Sequence, residues 1–230
     1  MSSRRVSIKD VAREAGVSVT TVSHALNGKG RLNPGTRRHV QEVAERLGYR
    51  PNPAARSLVS GRTGLIAAMA SLPSDTPIGF SDVAYFTELI GAATGAAVER
   101  DVALVIAPPG GRGGFVWDRV PLDGVIVIEP IVGERALPVL RERGIPFVTV
   151  GRDPTGAGRE DAVIVADEQR GTEEVLDHLA GMGGERVGLF SVPPLNGFLA
   201  DTWSAYHRWC LRRDRAPTIW EVRLDSLGGD

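Results

Sequence analysis

Apolar residues recur at helical spacing through the first fifty positions, then give way to short unbroken runs. Ile8, Val11, Ala12 and Ala15 fall on one helical face. Ser7 and Asp10 have the spacing of a capping box, which satisfies the free amides of a helix start, and Gly16 is placed to end the helix in the left-handed conformation. Val17 reads as a buried turn residue. Ser18 is a natural N-cap for a second helix from about Val19 to Leu26. Val22, Ala25 and Leu26 form its inward stripe, and Val19, Thr20, Ser23 and His24 its outward face. A third helix is expected from Asn33-Pro34, carrying Val40, Val43, Ala44 and Leu47 at i, i+3, i+4, i+7 and closed by Gly48. Residues 49–61 are at best a short marginal helix ahead of a Ser/Gly linker.

From Gly64 the pattern changes. Gly64 to Ala70 is a continuous apolar run suited to a strand covered on both faces. Further strands are expected over Ala103 to Ala107, Gly124 to Ile128, Pro146 to Val150, Ala162 to Ala166 and Val187 to Val192. Helices are expected over Phe86 to Glu99, Arg135 to Arg143 and Gly171 to Met182. Strand-helix alternation predicts a doubly wound parallel sheet, in which ligands sit beyond the carboxyl ends of the strands.

Two short helices joined by a Gly-containing turn make a helix-turn-helix, which places the start of its second helix in the DNA major groove. Ser18, Val19, Thr20, Thr21, Ser23 and His24 are therefore the candidate base-reading and phosphate-contacting residues. Val19 suits a thymine methyl; Thr20 and His24 suit hydrogen bonds to base edges or nearby phosphates. An ordinary helical hairpin with a polar outer face has the same pattern.

Charge sharpens the choice. The 230-residue chain has a net charge of −1, but residues 1–62 hold 12 basic and 4 acidic residues, or +8. The remainder holds 27 − 12 = 15 basic and 28 − 4 = 24 acidic residues, or −9. A basic head on an acidic body implies that only the head meets a polyanion. Cys210, the single cysteine, excludes an internal disulfide framework and any multi-cysteine zinc site. No run of about 18 apolar residues suggests a membrane span, and the N-terminus lacks the apolar stretch of a secretory signal, so a cytoplasmic protein is expected.

The stretch SIKDVAREAGVSVTTVSHALNGKG, followed by RRHVQEVAERLGYRPNPAARSL, closely resembles the headpiece and hinge of the LacI/GalR-type (lactose-repressor, purine-repressor) regulators over residues 6–60. The resemblance implies a homodimer on a near-palindromic double-stranded operator. It also implies a hinge that enters the minor groove through Ala55, Arg56, Ser57 and Leu58, with Leu58 as the wedge between base pairs. Val59 departs from the lysine found after the wedge in part of the family. The fold class implied is an all-α helix-turn-helix headpiece followed by an α/β body with a type-I periplasmic-binding-protein-like parallel sheet. The divisions are a headpiece at 1–49, a hinge and linker at 50–62, an N-terminal subdomain at 63–150 and a partial C-terminal subdomain at 151–230.

By the same resemblance, Tyr85, Phe86, Arg152 and Asp167 are candidate effector-binding residues. Thr202 stands near the place of a ligand-gripping arginine, so Asp201 and Trp203 are added as candidates for a sugar or other polar effector. Residues 108–119 are short and Gly-rich where the family carries a helix. The family normally runs well past this length, so a truncated product or a fragment, with an incomplete second subdomain, is expected.

No cofactor or metal and no enzyme activity is expected. Gly28-Lys29-Gly30 lacks the spacing of a phosphate loop, and the GGRGG run at 110–114 lacks the strand-to-helix context of a dinucleotide site. The four histidines are too scattered to assemble a metal or nucleophile site. The other function class in play is a DNA binder without ligand response.

Overall fold

Ser7 opens the first helix as its spacing predicts. In the computed structural model, which describes residues 6–28, 30–52, 57, 61–71, 84–108, 114–156, 161–184 and 186–222, the chain divides into two compact units, residues 1–63 and 64–230.

The first unit holds α1 (Ile8–Ala15), α2 (Val19–Leu26) and α3 (Pro34–Arg46). The Ser7 backbone N–H donates to Asp10 Oδ2 at 3.0 Å and the Asp10 N–H to Ser7 Oγ at 3.4 Å, completing the capping box. Gly16, at φ +66°, ends α1 in the left-handed region, where a side chain would be strained. The Asn33 side chain accepts from the Gly35 N–H, with Pro34 at the first helical position. Val11, Val22, Val40 and Val43 form the centre of a core completed by Ala12, Ala15, Ala25 and Ala44. Leu47, expected inside α3, is its C-cap, and the Gly48 turn follows one residue later.

The second unit is built on a five-stranded parallel sheet. Its strands are β1 (Leu65–Ala70), β2 (Ala103–Ile106), β3 (Gly124–Ile128), β4 (Phe147–Val150) and β5 (Ala162–Ile164). Their spatial order is β2-β1-β3-β4-β5. Alternation along β1 sends Ala67 and Met69 to one face and Ala68 and Ala70 to the other. The first face packs on Leu137 and Leu140 of α5 (Ala136–Arg143) and on Phe115 and Trp117, whose rings stack at 4.4 Å. The second packs on Phe86 and Ile90 of α4 (Ala84–Glu99). Both faces are covered, which is why the strand reads as an unbroken apolar run.

A smaller parallel pair, β6 (Leu189–Ser191) and β7 (Ile219–Glu221), is joined through α7 (Gly197–Arg212). Helix α6 (Glu168–Gly181) lies against α7, and Leu176, Tyr206, Trp209 and Cys210 form their shared core.

The structure corrects several boundaries. Helix α6 begins at Glu168 rather than Gly171, because the Asp167 carboxylate accepts from the Arg170 N–H at 3.1 Å and caps it. Helix α4 begins two residues earlier than its apolar pattern suggested, and β5 stops at Ile164 rather than Ala166. Neither α7 nor β7 was anticipated. In the Gly-rich segment, Val116–Asp118 forms a single 3-10 turn; residues 109–113 lie outside the described residues.

Candidate functional site

In the head, α2 presents a graded surface. Val19 is 40% exposed and Thr20 is exposed, both in the first turn. Ser18 and Thr21 are engaged locally: the Ser18 hydroxyl accepts from the Thr21 N–H at 3.1 Å and lies 2.9 Å from the Thr21 hydroxyl. Ser23 Oγ accepts from Asn27 Nδ2 at 3.3 Å. The His24 ring lies against the Gly30 turn, where a Cβ would come within 2.9 Å of Nδ1. Four of the six candidates thus have work within the head, and Val19 and Thr20 are the pair turned outward. Arg37 reaches the Gly30 carbonyl at 3.4 Å, and Arg46 pairs with Glu14 at 3.0 Å. Of the hinge candidates, Ala55, Arg56 and Leu58 lie outside the described residues. Ser57 is helical and its carbonyl accepts from the Gly61 N–H at 2.8 Å.

In the body, two adjoining clefts of about 370 and 260 Å³ open at the carboxyl ends of the parallel strands. The strand order reverses direction between β1 and β3, the switch point where such sheets bind ligands. Tyr85 comes from the start of α4, Glu129 from the residue after β3, and Gly151 and Arg152 from the turn after β4. Glu168 opens α6, and Phe198 and Asp201 lie in the first turns of α7. An antiparallel bridge between Ile131 and Asn196, with the Val132 N–H donating to the Leu195 carbonyl at 2.7 Å, holds the loop before α7 beside the loop after β3.

Glu129 is the hub. Tyr85 Oη donates to its Oε1 and Asn196 Nδ2 to its Oε2, each at 3.1 Å. Its backbone is left-handed at φ +52°, an uncommon conformation for a side-chain-bearing residue. At the neighbouring Gly151, φ +87°, a Cβ would come within 2.9 Å of the Glu129 carboxylate, so only glycine lets the two approach. Burial, reinforced by the charge of Glu168, pushes the Glu129 carboxyl up against the lowering effect of the Tyr85 hydrogen bond. Burial also pushes the Tyr85 phenol up to about 12, with the Glu129 charge adding to it.

Arg152 is held by Asp201 through a two-pronged contact, Nε to Oδ2 at 2.9 Å and Nη2 to Oδ1 at 2.7 Å. Gln169 Nε2 donates to Asp201 Oδ1 at 2.8 Å, and Arg208 donates to Gln169 Oε1 at 2.8 Å. The Arg152 contact holds the Asp201 carboxyl below the usual carboxylate range.

Of the predicted effector residues, the structure brings Tyr85, Phe86, Arg152 and Asp201 to the two clefts. Phe86 is there mainly as core, 7% exposed. Asp167 is the cap of α6, and Trp203 donates from Nε1 to Ser191 Oγ at 3.0 Å; neither is among the described lining residues. Thr202 Oγ1 is buried without a hydrogen-bond partner among the described residues. Glu129, Glu168, Asn196 and Phe198 were not anticipated. Glu129 had a readable signal, since it directly follows the apolar run of β3 and so stands at a strand's carboxyl end.

The pairing around Glu129 is testable by titration. Its folded-state midpoint lies above its unfolded value. The stability associated with the protonated form is therefore fully present below the unfolded midpoint and is lost as pH rises through the folded one. Tyr85→Phe removes a hydrogen bond to the charged form, so the midpoint is expected to rise further. Carbon-13 NMR of the glutamate carboxyls checks this; a downward shift would contradict the pairing.

Residues 7–52 match the family model described as bacterial regulatory proteins, lacI family. The HTH-type transcriptional regulator CelR of Thermobifida fusca is 31% identical over 198 residues, covering 83% of this chain and 56% of the relative. The head of this chain belongs to the LacI family. Catabolite control protein A of Staphylococcus epidermidis is likewise 31% identical over 188 residues, covering 80% of this chain and 55% of the relative. The chain thus spans about half the length of the curated relatives it matches. Among solved structures, the lac repressor dimer bound to operator and the anti-inducer ONPF matches with a TM-score of 0.73 at 21% identity, over 94% of this chain and 64% of that one. A CelR–cellobiose complex matches with a TM-score of 0.61 at 22% identity, over 96% and 68%. At these identities the structural matches establish the fold: a LacI-family head on an α/β body of the lac-repressor, periplasmic-binding-protein-like kind. No described helix is long and apolar enough to cross a membrane.

Proposed function

We propose that this LacI-family regulator binds a near-palindromic operator as a homodimer, represses transcription there, and is controlled by a small polar effector held in the body's cleft. The observation that carries the reading is α2 itself: its apolar side is locked into the head's core while Val19 and Thr20 stand exposed in its first turn. The start of such a helix is the part that enters the major groove. The basic surplus of residues 1–62 supplies phosphate attraction that weakens as salt rises. The hinge, with Leu58 as wedge beside Ala55, Arg56 and Ser57, couples the operator centre to the bodies. The effector shifts the population between states of different DNA affinity. Solved relatives named for an operator complex and for cellobiose support the two halves of this reading.

Selection from random duplexes tests it. A dimer that enriches one near-palindromic site is the expected result; enrichment of none overturns the reading. On the selected site, Val19→Ala with Thr20→Ala is expected to weaken binding about tenfold or more, since each specific base contact contributes roughly 1–3 kcal/mol. Binding to random DNA and its salt slope should stay unchanged. An equal loss on both DNAs would mean that these residues do not read sequence.

A further inference from the structure

If the cleft is the effector site, its charge and its donor balance narrow what can enter. Glu129 and Glu168 both line it, and the charge of Glu168 adds to the cost of ionising Glu129. The lining cation, Arg152, is already matched by Asp201 through both prongs of its fork. The described lining therefore carries two carboxylates in excess of its cations. Glu168 sits in the first turn of α6, where the helix end favours a negative charge.

Hydrogen bonding points the same way. Glu129 accepts from Tyr85 and Asn196, yet a carboxylate has about four acceptor positions, so half remain for a ligand. Tyr85 Oη, having given its proton to Glu129, can only accept from a further partner. The Asn196 carboxamide oxygen is engaged by the Leu199 N–H at 3.0 Å. What the cleft offers is mostly acceptors, framed by two exposed rings, Tyr85 at 46% and Phe198 at 45%. An aromatic face beside carboxylates attracts a cation and covers the flat apolar side of a sugar ring. A volume of about 370 Å³ suits a ligand of one or two rings.

We propose that the cleft takes an amine-bearing, sugar-sized ligand, its ammonium held by Glu129 and Glu168 between the Tyr85 and Phe198 rings, and rejects anionic analogues. A neutral sugar would leave the two carboxylates of the lining without a cation. A phosphorylated one would add a third negative group beside Glu129 and Glu168, in a described lining whose cation, Arg152, is already matched by Asp201.

The test is calorimetric titration of the full chain with three matched probes at pH 6.5: glucosamine, glucose and glucose 6-phosphate. Glucosamine is expected to bind at least about tenfold more tightly than glucose, with no detectable binding of the phosphate. Glu168→Gln, at the helix start, should close most of that gap without unfolding the body, and Glu129→Gln should do the same. Equal binding of glucosamine and glucose, or tighter binding of the phosphate, overturns the charge selection. If Phe198→Ala abolishes that binding, the cleft remains the effector site. Binding that Phe198→Ala leaves untouched, or no binding of any probe, overturns both readings.

Discussion

Val22→Asp is expected to unfold the head and abolish operator binding while leaving the 64–230 unit folded. Val22 is fully buried at the meeting point of the three head helices, among Val11, Val40 and Val43. An unpaired carboxylate in such a place costs about 3–5 kcal/mol even after relaxation. A unit of some sixty residues has only a few kcal/mol in hand. The body's apolar clusters consist of residues from Ala67 onward, so its core is independent of the substitution. Amide NMR spectra should lose the dispersed head resonances and keep those of the body. Retention of the head's dispersion, or collapse of both sets, would contradict this division of the core.

Trp209→Ala is expected to produce the largest loss in the body, about 3–5 kcal/mol for emptying a buried indole site. Trp209 is 3% exposed and packs with Leu176, Tyr206 and Cys210 where α6 and α7 meet. Its Nε1 donates to Asp177 Oδ1 at 2.7 Å, and the Arg213 guanidinium lies 4.3 Å from the ring centre. Asp177 and Arg213 are surface groups that water can satisfy, so the packing contributes most of the effect. Trp209→Phe should accordingly retain most of the stability. For a unit of this size each kcal/mol moves Tm by about 2–4 °C. Calorimetry should show the body's transition falling by roughly 10 °C in the alanine variant and clearly less in the phenylalanine one. Similar losses in both would assign the stability to the hydrogen bond instead.

The head was legible because its rules are local. A capping box spans four residues and a left-handed glycine stop needs one, and both operate as the residues Ser7, Asp10 and Gly16 indicate. The strands of the sheet were legible because burial on both faces leaves unbroken apolar runs, as in Leu65–Ala70. Helix α7 was missed for a different reason. Its buried positions, Ala205, Tyr206, Trp209 and Cys210, do follow helical spacing. Gly197, Thr202 and Trp203 dilute that pattern, and Asp201 and Trp203 suit a ligand site as readily as a helix. Asp167 shows the same ambiguity, since a carboxylate before a helix serves as a cap as readily as a pocket group. The Arg152–Asp201 contact joins residues 49 apart, and the Glu129–Asn196 contact joins residues 67 apart. No local pattern encodes such pairs; the tertiary fold, with the Ile131–Asn196 bridge, brings them together.

The separation of the two cores also has a consequence in time. The head's core is assembled from helices adjacent in sequence, whereas β1 must find β3 with α4 and β2 intervening. Local contacts close quickly and parallel pairing closes slowly, because the intervening chain must first be ordered. Ribosomes add about 5–20 residues per second, so residues 64–230 take roughly 8–30 seconds to follow the head out. The head is therefore complete on each nascent chain well before the body has a sheet.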